Sequence, residues 1–375
     1  LILLIFPREK RGSAMGIVGL IISFAPAIGP SLSGALVDTV GWRMLFIIVA
    51  VLAAIVVLFA SFSLKNFEGF EQVPFDPASV FLLACGMIGL LYGISSATSA
   101  ENILIPIALI GVGLVLLGLF VYRQTKLEVP LLRVQVLKTR RFRTVVILIA
   151  LLQASLVGSE VVLPIYVQQV MGQTATVSGL LMLPGAVIGA ICGLLSGRLF
   201  DRFGVRGVVI FGSVVLAAGA IGITTFSMDM TILMVTVVYT TMSIGIQFLV
   251  TPLNTWGVNS LENKVVQHGN ALSATTNQVG ASFGTAFIVS LTALGAVFAP
   301  ANADALTSTF TGVHIAFTGM CVMLLIVVLG VLFFVREKPG DEKPAGEQVF
   351  HIPGIVGVDR EFLIADVMNP RPAYI

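Results

Sequence analysis

The sequence predicts an all-α integral membrane fold with ten complete transmembrane helices, and three observations carry that prediction. Apolar residues fill 57% of the 375 positions and charged residues 11%, about half the charge a soluble domain keeps at its surface. Apolar runs of about twenty residues, enough to cross a bilayer as a helix, recur between short polar breaks. Lys and Arg are gathered into those breaks. Strands are excluded as spanning elements because an isolated strand leaves its backbone groups unpaired in lipid.

The expected spans follow in order. Span 13–37 comes after the basic group Arg8, Lys10 and Arg11 and carries Gly16, Gly19, Pro26, Gly29, Pro30 and Gly34. So many helix-weakening residues predict a bend near Pro26 to Pro30. Span 43–62 lies between Arg43 and Lys65, span 77–99 opens at Pro77, and span 103–122 stops at Arg123. After a basic loop come spans 144–170 and 174–199. Beyond Arg202 follow 205–226, 231–256, 266–297 and 312–335. The chain opens Leu1 to Phe6 with neither an initiator Met nor a basic n-region, so its start reads as the tail of an earlier hydrophobic segment and not as a signal peptide.

If the loops alternate sides, 20 of the 21 Lys and Arg residues fall on one side and Arg43 alone on the other. The positive-inside rule then places loop 123–143 and the tail after Arg336 in the cytoplasm. Loop 123–143 is open to two readings: an interdomain linker lying along the inner leaflet, or an ordinary cytoplasmic loop whose seven basic residues only set topology. A net charge of +2 supplies no field for nucleic acid. Cys85, Cys192 and Cys321 each sit inside an apolar run, which excludes a disulfide framework and leaves no metal-ligand spacing. No cofactor is expected, and no phosphate-cradling G-x-x-x-x-G-K-[ST] loop occurs, so an ion gradient is the expected energy source.

Gly185, Gly189, Gly193 and Gly197 recur at every fourth position and put four sites without side chains on one helix face. Another backbone approaches closely there, in a rigid bundle as readily as in a sliding one. Gly269, Ser273, Thr276, Gly280 and Gly284 form a second small-residue stripe. Glu160 is the carboxylate that falls well inside a span, about 25 Å along its helix from Arg143. An ionisable group in lipid is costly and is a functional candidate by default, here for carrying a proton. The plainer alternative is a hydrogen-bonded structural Glu near the outer rim. Gln153 shares its face, seven positions earlier. Thr240, Ser243, Gln247, Thr251 and Asn254, closed by Trp256, make a polar stripe at helical spacing. It reads as a cavity lining or as interhelical hydrogen bonding. His268 and His314 lie near span ends and read as interfacial.

Three of these patterns resemble one family. Gly16, Ala25, Gly29, Pro30, Ser33 and Gly34 resemble the antiporter motif on the fifth helix of drug/proton antiporters of the major facilitator superfamily, with Ala25 and Ser33 where glycine is usual. Gly197, Asp201, Arg202, Gly204 and Arg206 resemble the G-x-x-x-D-R-x-G-x-R cytoplasmic loop, which serves that family as an inner latch. Residues 269–286, with Asn277 and Gln278 where an Arg-Gln pair is common, are similar to the penultimate helix of the fourteen-span EmrB/QacA type. The resemblance implies a two-bundle architecture. Residues 1–64 would close the first bundle, 65–122 would be an inserted two-helix hairpin, 123–143 a linker, and 144–336 the second six-helix bundle. About four helices would precede the chain. Within the tail 337–375, Leu363 to Ile375 resembles the opening strand of a CBS domain.

What the resemblance implies for function is a cell-membrane antiporter. It would export amphipathic or cationic compounds against protons by alternating access, with Glu160 coupling and Gln153, Gln247, Thr251, Asn254, Asn277 and Gln278 lining the cavity. A dedicated transporter of one metabolite, such as a siderophore or an amino acid, is the alternative and would favour a cavity richer in charge. A membrane enzyme would need His, Asp or Glu clustered at a membrane face, and none is present. A channel would need a pore-lining repeat or a re-entrant filter, and the antiporter-like motif argues against it.

Overall fold

The computed structural model describes residues 28–63, 76–97, 102–127, 129–262, 265–300 and 304–335. Gly16, Ala25, the side chain of Asp201 and the whole tail 337–375 with its CBS-like stretch lie outside the described residues. Within them the secondary structure is helical, and nine helices are long and apolar enough to cross a membrane.

Helix α1 (28–40) is the described end of span 13–37, and Gly41 at φ +83° separates it from α2 (Trp42–Ser63). Helices α3 (Pro77–Ser96) and α4 (Leu104–Lys126) form a hairpin. A short 3-10 turn, Val134–Lys138, leads into α5 (Arg140–Ile165), which ends in one π-turn, Tyr166–Val170, just after Pro164. A continuous helical path over Ala175–Ile223 is broken at Gly204 (φ +74°, ψ 177°). The break yields two crossings, α6 (Ala175–Phe200) and α7 (Arg202–Ile223). Then come α8 (Ile232–Val258), α9 (Val266–Ala293), the short α10 (Gly295–Phe298) and α11 (Ala305–Phe334).

Two of the boundaries that depart from the expected ones have clear local reasons. Helix α11 starts at Ala305 and not at 312 because the Asp304 carboxylate accepts from the Thr307 amide at 3.0 Å, an N-cap that a hydropathy window does not register. Helix α4 runs on to Lys126 because Arg123 and Gln124 have partners there. Arg123 donates to both carboxylate oxygens of Asp76 at 2.7 and 3.0 Å, and Ser79 donates to the same carboxylate at 2.5 Å. Gln124 donates to Ser79 at 2.7 Å and accepts from the Leu132 amide at 3.1 Å. Ser79 and Gln124 are fully buried, so this chain fastens both ends of the hairpin to the start of the linker without an orphaned polar group.

Hydrophobic burial is not what binds helices to one another inside lipid, and small residues take over. In the hairpin, a Cβ at Gly113 would lie 2.6 Å from the Leu90 amide and 2.8 Å from the Gly86 carbonyl oxygen. In α9, a Cβ at Gly280 would lie 2.5 Å from the Ala150 carbonyl oxygen of α5, and one at Gly284 would collide with the backbone of Ala154. The Gly280 and Gly284 part of the second stripe read from the sequence is thus a backbone-to-backbone seam between α5 and α9. One core joins α5 through α9 and α11, with Leu152, Leu216, Ile246, Leu249 and Leu324 fully buried. A smaller cluster of Val136, Phe142, Val146, Leu261 and Leu272 roots the linker turn on the ends of α8 and α9.

Candidate transport site

Helix α8 is gripped on two faces. One face rests on α7, where a Cβ at Gly219 would lie 2.6 Å from Met242 Cα and one at Gly245 would lie 2.5 Å from Leu216 Cα. The other face carries the polar stripe, and it meets the glycine stripe of α6. A Cβ at Gly185 would lie 2.8 Å from the Tyr239 ring and 3.2 Å from Ser243 Oγ. One at Gly189 would lie 3.3 Å from Gln247 Cγ, one at Gly193 3.8 Å from Thr251 Oγ1, and one at Gly197 3.6 Å from Thr251 Cγ2. The two stripes found separately in the sequence are therefore halves of one contact. It is tight at Gly185 and ordinary at Gly197, so it opens toward the end that carries Gly197.

The polar character of this seam is only partly spent within it. Ser196 donates to the Gly193 carbonyl at 2.8 Å and to the Gln247 carbonyl at 3.4 Å. The buried hydroxyl of Thr240 has no hydrogen-bond partner among the described residues. An orphaned buried hydroxyl normally costs about 1–3 kcal/mol, so its retention calls for a reason. Further along, Ser273 of α9 donates to Asn254 of α8 at 3.2 Å, tying the stripe to the neighbouring helix.

Glu160 and Gln153 are half-buried on α5. They lie away from the face that Ala150, Ala154 and Gly158 turn to α9. Glu160 is close enough to Tyr239, which is 3% exposed, for its charge to act on the phenol. The helix that carries Glu160 packs against α8. Of the other predicted site residues, Asn277 is half-buried with its Oδ1 unpartnered, whereas Gln278 is exposed on α9. Asn277 and Gln278 do not converge on one point.

At the cytoplasmic-loop pattern, Gly204 supplies a backbone conformation that residues with a side chain avoid, and this is what lets the path reverse between α6 and α7. The Arg202 guanidinium lies 5.4 Å from the Phe203 ring centroid. Gly197 closes the glycine stripe, and Arg206 is engaged within the protein.

Where α1 crosses the start of α6, the described half of the glycine-proline pattern is in contact. A Cβ on Gly34 would collide with the Ala175 carbonyl, and one on Gly179 with the carbonyl of Pro30. Ser31 donates to the Gly179 carbonyl at 2.9 Å, while Ser33 donates to the Pro30 carbonyl at 3.1 Å within its own helix. Gly29 meets nothing among the described residues. Sequence reasoning missed Asp38. Its carboxylate accepts from the Ala175 amide at 3.3 Å and from both the amide and the hydroxyl of Thr176 at 2.6 Å. A carboxylate one turn beyond a Gly/Pro-rich helix and a Thr-Ala-Thr helix start were the available signals, but nothing in the sequence brought them together.

The family model of the Major Facilitator Superfamily matches residues 1–285. Among curated proteins, the chain is similar to the uncharacterized MFS-type transporter YcnB of Bacillus subtilis (strain 168), with 38% identity covering 92% of this chain and 72% of that one. It is similar to the lincomycin resistance protein LmrB of Listeria monocytogenes serovar 1/2a, with 33% identity over 90% of this chain and 73% of that protein. With the multidrug transporter protein MdtP of Bacillus subtilis it shares 26% identity over 81% and 55% of the two chains.

Proposed function

The chain belongs to the Major Facilitator Superfamily, and from that premise we propose that this multi-pass transport protein is a proton-coupled antiporter of the fourteen-span drug-exporting kind. The proposed substrates are amphipathic or cationic compounds, exported by alternating access. The observation that carries the reading is Glu160, a half-buried carboxyl within a span, on a helix that packs against α8. A carboxyl fixed in that position is retained at a cost unless it exchanges a proton or meets a cation.

The surroundings suit a loosely selective site. One acid stands among amide and hydroxyl groups, with Thr240 holding unspent hydrogen-bonding capacity. Such a site attracts positive charge through Glu160 and adapts its hydroxyls to different shapes, whereas strict selection of one metabolite calls for more fixed, paired polar groups. That relatives carry names for lincomycin resistance and multidrug transport agrees with this choice. In the cycle, protonated Glu160 would release a bound cation to the outside and a deprotonated one would take up the next from the inside. Gly197, Asp201, Arg202, Gly204 and Arg206 would hold the cytoplasmic gate, and the tail would face the cytoplasm. Uphill efflux of fluorescent cations from cells carrying the full-length protein tests the proposal. It is expected to collapse on adding a proton uncoupler, and efflux that survives the uncoupler would exclude proton coupling.

A further inference from the structure

We propose that Asp38 is the gate residue that holds the outer side of the transporter shut. The proposal rests on the alternating-access reading above, and it concerns a residue outside every motif considered so far.

The geometry is that of a cap supplied by a different helix. A helix start leaves its first amides without partners inside the helix. Here Thr174 caps α6 in the ordinary local way, accepting from the Val177 amide at 3.3 Å. The Ala175 and Thr176 amides are taken by Asp38 instead, 137 and 138 positions earlier in the chain. The Thr176 hydroxyl gives the same carboxylate a third bond. A negative charge at a helix start also meets the positive end of the helix dipole. Below this cap, Gly34 and Pro30 seat α1 directly on the backbone of Ala175 and Gly179.

This contact lies at the membrane face opposite linker 123–143, because α5 starts at the linker and crosses before α6 begins. Glycine contacts such as Gly34 on Ala175 hold two helices close only while nothing pulls them apart. The cap adds bonds that must all break at once when α1 and α6 separate, and once broken they are replaced by water, since Asp38 is exposed. The result is a latch that is closed in this structure and reopens at the solvent edge. Asp38 is thereby a positioning residue: it selects between states and touches no substrate.

The test measures the gate. Spin labels at Thr39 and Gln173 of the full-length protein in liposomes would report the separation of α1 and α6 by double electron–electron resonance. The native protein is expected to show a short and a long distance. Asp38→Ala should raise the long-distance population about fivefold, the effect of losing one good helix cap. Thr176→Val should give a smaller rise, because both amides remain, and combining it with Asp38→Ala should add nothing further. Asp38→Asn, which keeps an acceptor, should fall between native and Ala, and serves if the Ala variant does not fold. An unchanged ratio in the Asp38 variants, with two distances present in the native protein, overturns the latch. One fixed distance in the native protein, with and without a transported cation, overturns the alternating-access reading instead.

Discussion

Gly185 and Tyr239 share one site: a Cβ on the glycine would stand 2.8 Å from two atoms of the ring. The ring is 3% exposed and already fully packed, so it has little room to retreat. Gly185→Ala is therefore expected to overpack the seam and destabilise the protein by roughly 1–3 kcal/mol. Gly197→Ala, whose methyl would meet Thr251 Cγ2 at 3.6 Å, should be close to neutral. Thermal unfolding of the two variants in detergent checks the contrast, and equal melting temperatures would show that the seam is not packed as described.

Glu160→Gln keeps the shape and removes the titratable proton. Uphill export of cations is expected to be lost while energy-independent counterflow exchange is retained. Measuring both in the same vesicles separates coupling from folding. A variant with full uphill export would make Glu160 structural.

Gly204 adopts φ +74° with ψ 177°, a region used essentially by glycine alone. Replacement by Ala should cost about 1–3 kcal/mol. Asn often rescues glycine sites in the left-handed helical region, and here it should not, since ψ lies far from that region. A comparison of folded yield for Gly204→Ala and Gly204→Asn decides the point: recovery with Asn would mean that the reversal uses a different backbone geometry.

The pH response of the outer contact follows from Asp38. Its carboxyl is held below its ordinary 3.8, first by the Thr176 hydroxyl and then by the Thr176 amide. A depressed folded value means the cap's contribution is fully present above the ordinary value and is lost only as pH falls through the lower folded one. Between pH 5 and 8 the cap should not change. Any pH dependence of counterflow exchange within that window should persist in Asp38→Asn and vanish in Glu160→Gln, as initial-rate measurements across the window would show. A profile flattened by Asp38→Asn alone would reverse the assignment.

Much of this was legible before any coordinates. Hydropathy placed the crossings because lipid demands runs of fixed length, and Glu160 stood out because charge inside such a run is costly. The two stripes of α6 and α8 were legible one at a time. That Gly185 faces Tyr239, and that Gly280 faces Ala150, depends on helix rotation and neighbour choice, which a period of 3.6 leaves open. Pairings across long stretches of chain stayed invisible for the same reason. Asp38 with Thr176 and Asp76 with Arg123 consist of common residue types at unremarkable spacings, and only the fold makes them partners. In the hairpin, Gly86 and Gly89 opposite Gly113, with Gly93 against Ile110 and Pro106, did form a readable pattern that hydropathy alone passed over.

The seam between α5 and α9 has a thermodynamic consequence of its own. Its contacting groups at Gly280, Gly284, Ala150 and Ala154 are backbone and single methyls, which possess no rotamers to lose when the helices come together. Association there pays almost no side-chain conformational entropy. The grip of this helix pair should therefore weaken little on warming, while contacts made by long side chains loosen first. Heating should release the edges of the core formed by α5 through α9 and α11 before its spine.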